Sequence, residues 1–219
     1  MAARGSEITN IVEALRVGKA LAAGDFEDGA WGRAQAAHIA RYWSGAEASQ
    51  GRRAEARVAW DAEGFTVRFD CRQEEPLVVS AAPRLEHKTM QLWDRDVCEI
   101  FITPEAERIG HYYEFEVAPT GEWIDLALTV TEEGRDTDWD FRSGMTAAAR
   151  VRPGSVTSAL RVPWQAFGRT PRAGERWRCN LFRCVGRGPA RGYLAWQPTQ
   201  TPEPAFHVPD KFGWIVFKG

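Results

Sequence analysis

The sequence predicts an all-β protein: an antiparallel β-sandwich of the jelly-roll or immunoglobulin-like type, formed as a single domain with short helical turns. Short segments in which apolar and polar residues alternate recur along the chain, with Gly and Pro between them, which is typical of sandwiches and barrels. The length of 219 residues is one that all-β folds reach as a single domain. Ten tryptophans suit the core of such a fold or a binding surface.

The predicted strands follow one another as hairpins and a meander. In residues 64–71, Phe65, Val67 and Phe69 alternate with polar residues, which predicts a strand with one buried face. A short turn connects this strand to another at residues 55–61. Further strands are predicted at 96–103, 111–118, 121–130, 145–152, 155–162, 176–185, 192–197 and 213–217.

Helical structure is expected only in short segments, at residues 163–168 and 7–21. Neither segment interrupts the succession of strands, and the chain shows no internal repeat. We therefore divide the chain into an N-terminal extension, residues 1–17, and one sandwich domain, residues 18–219.

Composition and charge argue against several classes of partner. The formal net charge is −2 with a pI of about 6.1, and the arginines are scattered, so nucleic acid is not expected. No apolar run approaches the ~20 residues that cross a bilayer, so no membrane partner is expected. Polar residues interrupt the N-terminal segment where a signal peptide is continuously apolar. No signal peptide is therefore predicted, and the cytoplasm is the default compartment.

Four cysteines, Cys71, Cys98, Cys179 and Cys184, lie in or beside predicted strands. No CxxC motif or other metal-ligand spacing is present. This placement favours buried free thiols over disulfides.

Carboxylates recur in three neighbouring predicted strands and are expected on one face of the sheet. They are Glu99, Glu114, Glu116 and Asp125. Because residues i and i+2 of a strand share a face, Arg178 and Asn180 are expected beside them. Such a row is costly if it is buried without partners. Three interpretations remain open: the face is solvated, its carboxylates pair with Arg68 or Arg178, or it binds a polar ligand.

The loop between about Pro198 and Gly213 is the second notable segment. It carries four prolines, which make it rigid, and displays Phe206 and His207 between them. Rigid loops that carry aromatic residues often bind a ligand.

Six short segments occur in the order known from one protein family. They are DFEDGAW (25–31), WDRDVCEIF (93–101), YYEFEVAPTGEW (112–123), RWRCNLFR (176–183), LAWQP (194–198) and FHVPDKFG (206–213). From about residue 18 to its end, the chain therefore resembles the family 9 carbohydrate-binding module and the wider group of family 9-like domains. The resemblance implies a β-sandwich of the kind shared with DOMON domains, and a secreted or periplasmic location.

The resemblance also implies a sugar site. In well-described members, a tryptophan ahead of a D-x-V-E strand and an aromatic ahead of P-x-K-F-G hold one sugar ring between them, and the matching residues are Trp93 and Phe206. The strand glutamate that bonds sugar hydroxyls matches Glu99. This agrees with the chemistry of a pyranose, whose apolar face stacks on aromatic rings while its hydroxyls bond to carboxylates. In the alternative interpretation these side chains only pack against the sheet.

The chain departs from the sugar-binding members at two positions. Glu116 occupies the place of an arginine, and Glu203 the place of an asparagine. Both changes remove a donor and add negative charge, and His207 is a candidate replacement donor. The predicted ligand-binding residues are Trp93, Glu99, Glu116, Asn180, Phe206 and His207.

The predicted function is non-catalytic binding of a mono- or oligosaccharide of the plant polysaccharide type, with a glycoside hydrolase on another chain as the implied partner. No cofactor is required, although the resemblance implies a structural calcium ion whose ligands the sequence does not identify. One alternative is a protein-interaction module with a degenerate sugar site. Another is a haem-binding DOMON-like electron-transfer domain, with His87 and Met90 as candidate axial ligands. Paired carboxylates alone are weak grounds for a glycosidase, because adjacent strands readily give the required separation of about 5–9.5 Å.

Overall fold

The computed structural model describes residues 10–219, in which fourteen strands are joined by loops and 3-10 turns. The strands are β1 Ile11–Arg16, β2 Ala37–Ile39, β3 Arg41–Tyr42, β4 Ala54–Trp60, β5 Gly64–Arg72, β6 Val97–Thr103, β7 His111–Val117, β8 Trp123–Thr131, β9 Gly134–Asp138, β10 Thr146–Arg152, β11 Ser155–Pro163, β12 Arg176–Val185, β13 Gly192–Ala195 and β14 Gly213–Phe217. The 3-10 turns are Gly29–Gly32, Gln50–Arg52, Leu92–Asp94, Ala106–Arg108, Trp164–Phe167, Gly188–Ala190 and Pro209–Lys211. Within residues 10–219, no helix has the length and apolar character needed to span a membrane.

The strands form one hydrogen-bonded sheet that folds over into two facing layers. One layer contains β10, β11, β5 and β4, the other contains β12, β6, β7, β8 and β9, and β1 and β14 connect them. Across the interior, β7 approaches β10 and β11. All strand pairs are antiparallel except those of β1, which runs parallel to β4 and to β14. The predicted all-β sandwich is confirmed, with this one parallel strand as an addition.

The helix predicted over residues 7–21 is wrong where the structure describes that segment. Val12 and Ala14 are buried while Glu13 is exposed, which is the period-two pattern of a strand. Ala, Leu and Lys favour a helix locally, but sheet pairing on both sides of β1 overrides that weak propensity. Residues 1–9 lie outside the described residues. The domain boundary drawn at residue 18 stays a prediction, although β1 lies on its N-terminal side.

The main core lies between the two layers. Phe65, Val67 and Phe69 of β5 point inward and are fully buried with Ile100 of β6 and Trp177 of β12. Burying a large apolar side chain contributes about 1.5–3 kcal/mol to folding, so this aromatic-rich interior supplies the main driving force. The inward alternation predicted for β5 is confirmed.

The ten strands predicted from alternation are present with ends within two residues of those expected, and the turn predicted at 163–168 is the 3-10 turn Trp164–Phe167. Three further strands, β2, β3 and β9, were not predicted. The first two have three and two residues, too few to show a period. The third, β9, is almost entirely exposed and polar, so it has no apolar alternation to detect.

Buried tryptophans and cysteines also follow the prediction. Trp31, Trp60 and Trp196 are buried, as expected of core residues. The four cysteines are buried and are not joined by disulfides.

Asp125 corrects one part of the predicted carboxylate face. It pairs in register with Phe115, an inward-facing residue of β7, so it lies on the opposite face from Glu114 and Glu116. There it forms an ion pair with Lys88, with 2.8 Å between Nζ and Oδ1, and accepts hydrogen bonds from the amide and hydroxyl of Ser143 at 2.6 and 2.8 Å. Asp125 therefore anchors loops to the sandwich and has no part in the outer face.

Candidate functional site

A second cluster of apolar residues covers the outer face of β6, β7, β8 and β12, beneath the proline-rich loop that leads to β14. Phe101 and Tyr112 belong to the sheet, and Phe206 reaches them from the loop. The loop is held by Arg178, whose guanidinium donates to the carbonyl oxygen of Phe212 at 2.5 Å. A pocket of about 390 Å³ opens at the edge of this cluster.

Trp93 forms one wall of the pocket. It lies half-buried in the 3-10 turn Leu92–Asp94. Arg191 fixes this turn by donating to the carbonyl oxygens of Trp93 at 2.5 Å, Asp94 at 2.9 Å and Arg95 at 2.8 Å. A guanidinium with several acceptors in fixed positions holds the backbone of the turn rigidly. The ring of Trp93 is therefore presented to the pocket from a constrained backbone.

Three glutamates lie at the base of the pocket. Glu99 and Glu116 are opposite each other in the β6–β7 register, and Glu114 is on the same face of β7. Their exposed fractions are only 2%, 0% and 3%, respectively. One carboxylate oxygen from each lies within 4.8 Å of the other two. Glu99 and Glu114 line the pocket, whereas Glu116 does not.

Within residues 10–219 the three glutamates have no arginine partners, which excludes the ion pairs with Arg68 and Arg178 that the sequence had suggested. Arg68 bonds to Asp70 instead, at 2.7 Å, and Arg178 bonds to loop carbonyls. The face is not solvated either, since the three side chains are buried. The hydrogen bond that Glu99 makes comes from the thiol of Cys184, at 3.5 Å.

Burial and mutual repulsion disfavour the ionised forms of these acids. Burial raises the pKa of Glu99 well above its ordinary value, and the charge of Glu114 raises it further. Burial and then the charge of Glu99 raise the pKa of Glu116 well above its ordinary value. Burial raises the pKa of Glu114 as well. The three carboxyl groups therefore retain protons at a pH where exposed glutamates have lost them.

Phe206 and His207 line the pocket from the loop side. One face of Phe206 lies on Phe182, with ring centroids 4.1 Å apart and planes 12° apart, so only 8% of the residue is exposed. His207 Nδ1 lies 2.8 Å from the hydroxyl of Tyr112. Burial, followed by the charge of Arg135, lowers the pKa of His207 to about 3, so the ring is neutral near pH 7.

The structure brings together four of the six predicted ligand-binding residues. Trp93, Glu99, Phe206 and His207 all line the one pocket, and Glu116 lies directly behind it. Asn180 is placed elsewhere, as a correction to the prediction. It is fully buried, and its amide bonds to the backbone of Gln197 at 2.8 and 3.0 Å and of Leu181 at 2.9 Å, so it serves the contact between neighbouring chain segments.

Among the pocket residues that were not predicted from the sequence, Trp139, Tyr193 and Arg135 are the most notable. Trp139 follows β9, is 46% exposed, and lies with its ring centroid 6.2 Å from that of Trp93. Tyr193 and the exposed Arg135 also line the pocket. An exposed tryptophan within the polar sequence DTDWD is the signal that identifies Trp139, but its position depends on β9, which has no pattern of its own.

Comparison with known families adds a decisive observation. Residues 23–219 match the family model described as the carbohydrate family 9 binding domain-like family. The chain belongs to this family. The resemblance expected from six short segments is thus confirmed over most of the chain.

Several known proteins are similar to this family 9-like domain. A carbohydrate-binding module of family 9 from Caldicellulosiruptor kristjanssonii has been solved with glucose and with cellotriose. The first matches at a TM-score of 0.68 and 16% identity, covering 95% of this chain and 96% of that one. The structure with cellotriose matches at a TM-score of 0.64 and 17% identity, covering 95% of this chain and 94% of that one. An "Extracellular protein" of Arthroderma benhamiae is 23% identical over 176 residues, which are 74% of this chain and 77% of that protein. At these identities the structural matches confirm the sandwich fold.

The three glutamates of this family 9-like domain do not match a calcium site. Their spacing suits ligands around one ion, but calcium takes 6–8 oxygen ligands. The cross-strand neighbours of Glu99, Glu114 and Glu116 are apolar apart from one another, and include Phe182, Phe101, Leu126 and Ile124. The calcium ion implied by the resemblance thus stays a prediction without assigned ligands.

The haem alternative finds no support in the geometry of this family 9-like domain. His87 and Met90 are both exposed, and neither lines the pocket beside Trp93. Axial haem ligands must face one enclosed site, and these two side chains do not.

Proposed function

We propose that this domain binds a mono- or oligosaccharide, without transforming it, in the pocket beside Trp93. The observation that carries the proposal is that residues distant in sequence, Trp93 and Glu99 on one side and Phe206 and His207 on the other, line one cavity of about 390 Å³. This combination of aromatic walls and a carboxyl base is what a pyranose needs, because its ring faces are apolar and its rim is polar.

In this proposal each residue has a separate role. The indole of Trp93, held in place by Arg191, stacks on one face of the sugar ring. The exposed ring of Trp139, 6.2 Å from it, widens that platform. Glu99 and the neutral ring of His207 bond to hydroxyl groups, and each accepts or donates according to its protonation state.

Membership of the family and the known complexes support the same function. The Caldicellulosiruptor kristjanssonii modules were solved with glucose and cellotriose, so β-linked glucose is the first ligand to test here. The family consists of binding modules, which supports a non-enzymatic role. The extracellular relative supports an exported location, and a glycoside hydrolase on another chain stays a prediction.

The test is calorimetric titration with glucose, cellobiose and cellotriose. The wild-type chain is expected to bind at least one of them saturably. Trp93→Ala is expected to weaken that binding at least tenfold, because stacking and apolar burial on one aromatic ring contribute about 1–3 kcal/mol.

Trp214→Ala is the matched control. Trp214 is half-buried, lies outside the pocket and contacts Arg176 and Arg178 through its ring face. It should change affinity less than threefold. Equal losses of affinity in both variants, or no binding of these sugars or of the amino sugars related to them, would refute the proposed function.

A further inference from the structure

The base of the pocket holds more carboxyl groups than a neutral sugar requires. Of the described residues, none forms an ion pair with Glu99, Glu114 or Glu116; Lys88 pairs with Asp125 and Arg95 with Glu122. One oxygen of Glu114 and both oxygens of Glu116 are buried without a hydrogen-bond partner. Unpaired buried carboxyl groups are costly, so their retention at a binding pocket calls for a partner that enters with the ligand.

The geometry of the three carboxyl groups matches a primary ammonium group. An ammonium has three N–H donors that diverge from one nitrogen. For three oxygens that all lie within 4.8 Å of one another, one point lies no more than about 2.8 Å from each of them, which is the usual length of a charge-assisted N–H···O bond. One nitrogen at the base of the pocket can therefore lie close to all three acids, with Glu99 and Glu114 in the pocket lining and Glu116 behind them.

The walls of the pocket favour a cation for an independent reason. Trp93 and Trp139 both line it, and the faces of aromatic rings attract cations, Trp most strongly. A cation enclosed by aromatic rings and approaching a carboxyl base gains from both contacts, whereas a neutral hydroxyl gains from only one.

The two arginines near the pocket do not cancel this preference. Arg191 is occupied by backbone carbonyl oxygens. Arg135 also lines the pocket and forms no ion pair among the described residues, but it is exposed, so solvent weakens its charge. The charge that remains favours the ionised form of Glu114, which is the form that an ammonium group binds. The exposed Asp94 also lines the pocket and opposes Arg135 in sign.

We infer that the ligand of this pocket is an amino sugar, bound with its protonated amine among Glu99, Glu114 and Glu116 and its ring against Trp93. This inference rests on the proposed function, since it names the class of sugar that the same pocket takes. It also accounts for Glu116, a third carboxyl group behind the pocket, because a bound cation favours the ionised form of nearby acids and a neutral sugar does not.

The experiment compares glucosamine, glucose and N-acetylglucosamine by calorimetric titration in the presence of EDTA. A pH of about 6.5 keeps the sugar amine protonated, because it lies below the usual pKa of an α-amino group. The wild-type chain should bind glucosamine at least tenfold more tightly than glucose, and N-acetylglucosamine no more tightly than glucose. In Glu114→Gln, the ratio of the glucosamine and glucose affinities should fall at least fivefold.

Glu132→Gln removes the same charge from an exposed turn and is the control, in which the ratio should not change. Glu99→Gln is the second test variant if Glu114→Gln does not fold. Glucose binding without a preference for glucosamine would overturn the inference and leave the proposed function intact. Loss of all binding on adding EDTA would overturn it in favour of a metal-bridged site. Failure of every sugar to bind would overturn both.

A second inference rests on a different observation, the proximity of two thiols between the layers. Cys71 of β5 and Cys98 of β6 have their Sγ atoms 3.4 Å apart. Both line a cavity of about 10 Å³ together with Arg183, a volume close to that of one water-sized probe. The hydrogen bond to Cys98, together with the charge of Arg183, lowers the pKa of the Cys71 thiol, so Cys71 is the better nucleophile of the pair.

We propose that a hydroperoxide converts these thiols into a disulfide that links the two layers. The Cys71 thiolate attacks one oxygen of hydrogen peroxide, the O–O bond breaks, and Cys71 becomes a sulfenic acid as hydroxide takes up a proton to form water. Cys98 Sγ, having lost its proton, then attacks Cys71 Sγ and releases the sulfenic oxygen as a second water. Two thiols are oxidised and one peroxide is reduced.

The test is intact mass after peroxide treatment and alkylation under denaturing conditions. The treated wild-type chain should lose two hydrogens, retain two alkylatable cysteines, and show a raised Tm that a thiol reductant reverses. Cys98→Ser should show none of these changes, whereas Cys179→Ser should still form the disulfide. Addition of oxygen atoms without loss of two hydrogens, or no reaction, would overturn the proposal.

Discussion

Glu116 lies between Glu99 on β6 and Ile124 on β8, and neither of its carboxyl oxygens has a hydrogen-bond partner among the described residues. Its folded-state pKa is raised well above the ordinary value of 4.5 by burial and by Glu99. Above about pH 4.5 the folded chain therefore holds more protons here than the unfolded chain does. Stability contributed by this group is complete at low pH and falls as pH rises toward the folded-state pKa.

Glu116→Gln should therefore stabilise the protein in a pH-dependent manner. At about pH 8 the variant should melt at least about 3 °C above wild type, since 1 kcal/mol shifts Tm by about 2–4 °C in a chain of this size. At about pH 4 the two should melt within about 1 °C of each other. Thermal unfolding across this pH range measures the effect. A constant difference at all pH values would show that Glu116 does not titrate as described.

Asn180 shows how a predicted ligand contact becomes a structural one. Its side chain makes three hydrogen bonds to backbone atoms of Gln197 and Leu181. Asn180→Ala should lower the free energy of unfolding by about 1–3 kcal/mol because it leaves buried backbone groups unpaired. Sugar affinity of the folded variant should stay within threefold of wild type. Gln165→Ala, at an exposed position, is the control for stability. If Asn180→Ala instead lost sugar affinity without losing stability, Asn180 would be a ligand-binding residue after all.

The turn Leu92–Asp94 is the element on which the pocket most depends. Arg191 donates to the carbonyl oxygens of Trp93, Asp94, Arg95 and Gly186, so one side chain ties this turn to the segment between β12 and β13. Gln91, just before the turn, has a φ of 58°, which is uncommon for a residue other than glycine. The conformation of the turn is thus maintained by tertiary contacts.

Arg191→Ala should weaken sugar binding, although Arg191 itself does not contact the sugar in the proposed arrangement. Without the hydrogen bonds from Arg191, the turn that carries Trp93 is no longer fixed before the sugar binds. Ordering the ring on binding should weaken the affinity about tenfold, or by about 1.4 kcal/mol. Arg187→Ala, an exposed neighbour, should have no such effect. Calorimetry on both variants measures the sugar affinity, and hydrogen exchange of the Leu92–Asp94 amides measures how well the turn is ordered. Faster exchange without lost affinity would contradict the positioning role.

At the scale of the whole molecule, the sequence predicted what depends on local periodicity. Inward residues such as Phe65 and Val67 alternate with outward ones because one face of β5 is buried. This strand can therefore be recognised from the sequence alone. The exposed β9 and the central β1 cannot be predicted in this way, because pairing with neighbouring strands determines their structure more than their own residues do. The sandwich as a class was predictable, but its parallel strand was not.

The site was predictable to the extent that motifs mark it. Trp93, Glu99, Phe206 and His207 lie in segments that resemble the family and meet in one pocket. Trp139 was missed because its place depends on β9. That the glutamates find no arginine partner within residues 10–219 could not be predicted either, because strand register and loop closure decide which side chains meet across a sheet.

The central claim is that a sugar binds in the pocket between Trp93 and the C-terminal loop. A crystal structure of the wild-type chain with cellotriose or glucosamine tests it most directly. We expect one sugar ring stacked on Trp93, with Glu99 or His207 within hydrogen-bond distance of it. A sugar bound on another face, such as the arginine-rich cleft lined by Arg53 and Arg72, or an empty pocket at a saturating sugar concentration, would contradict the claim.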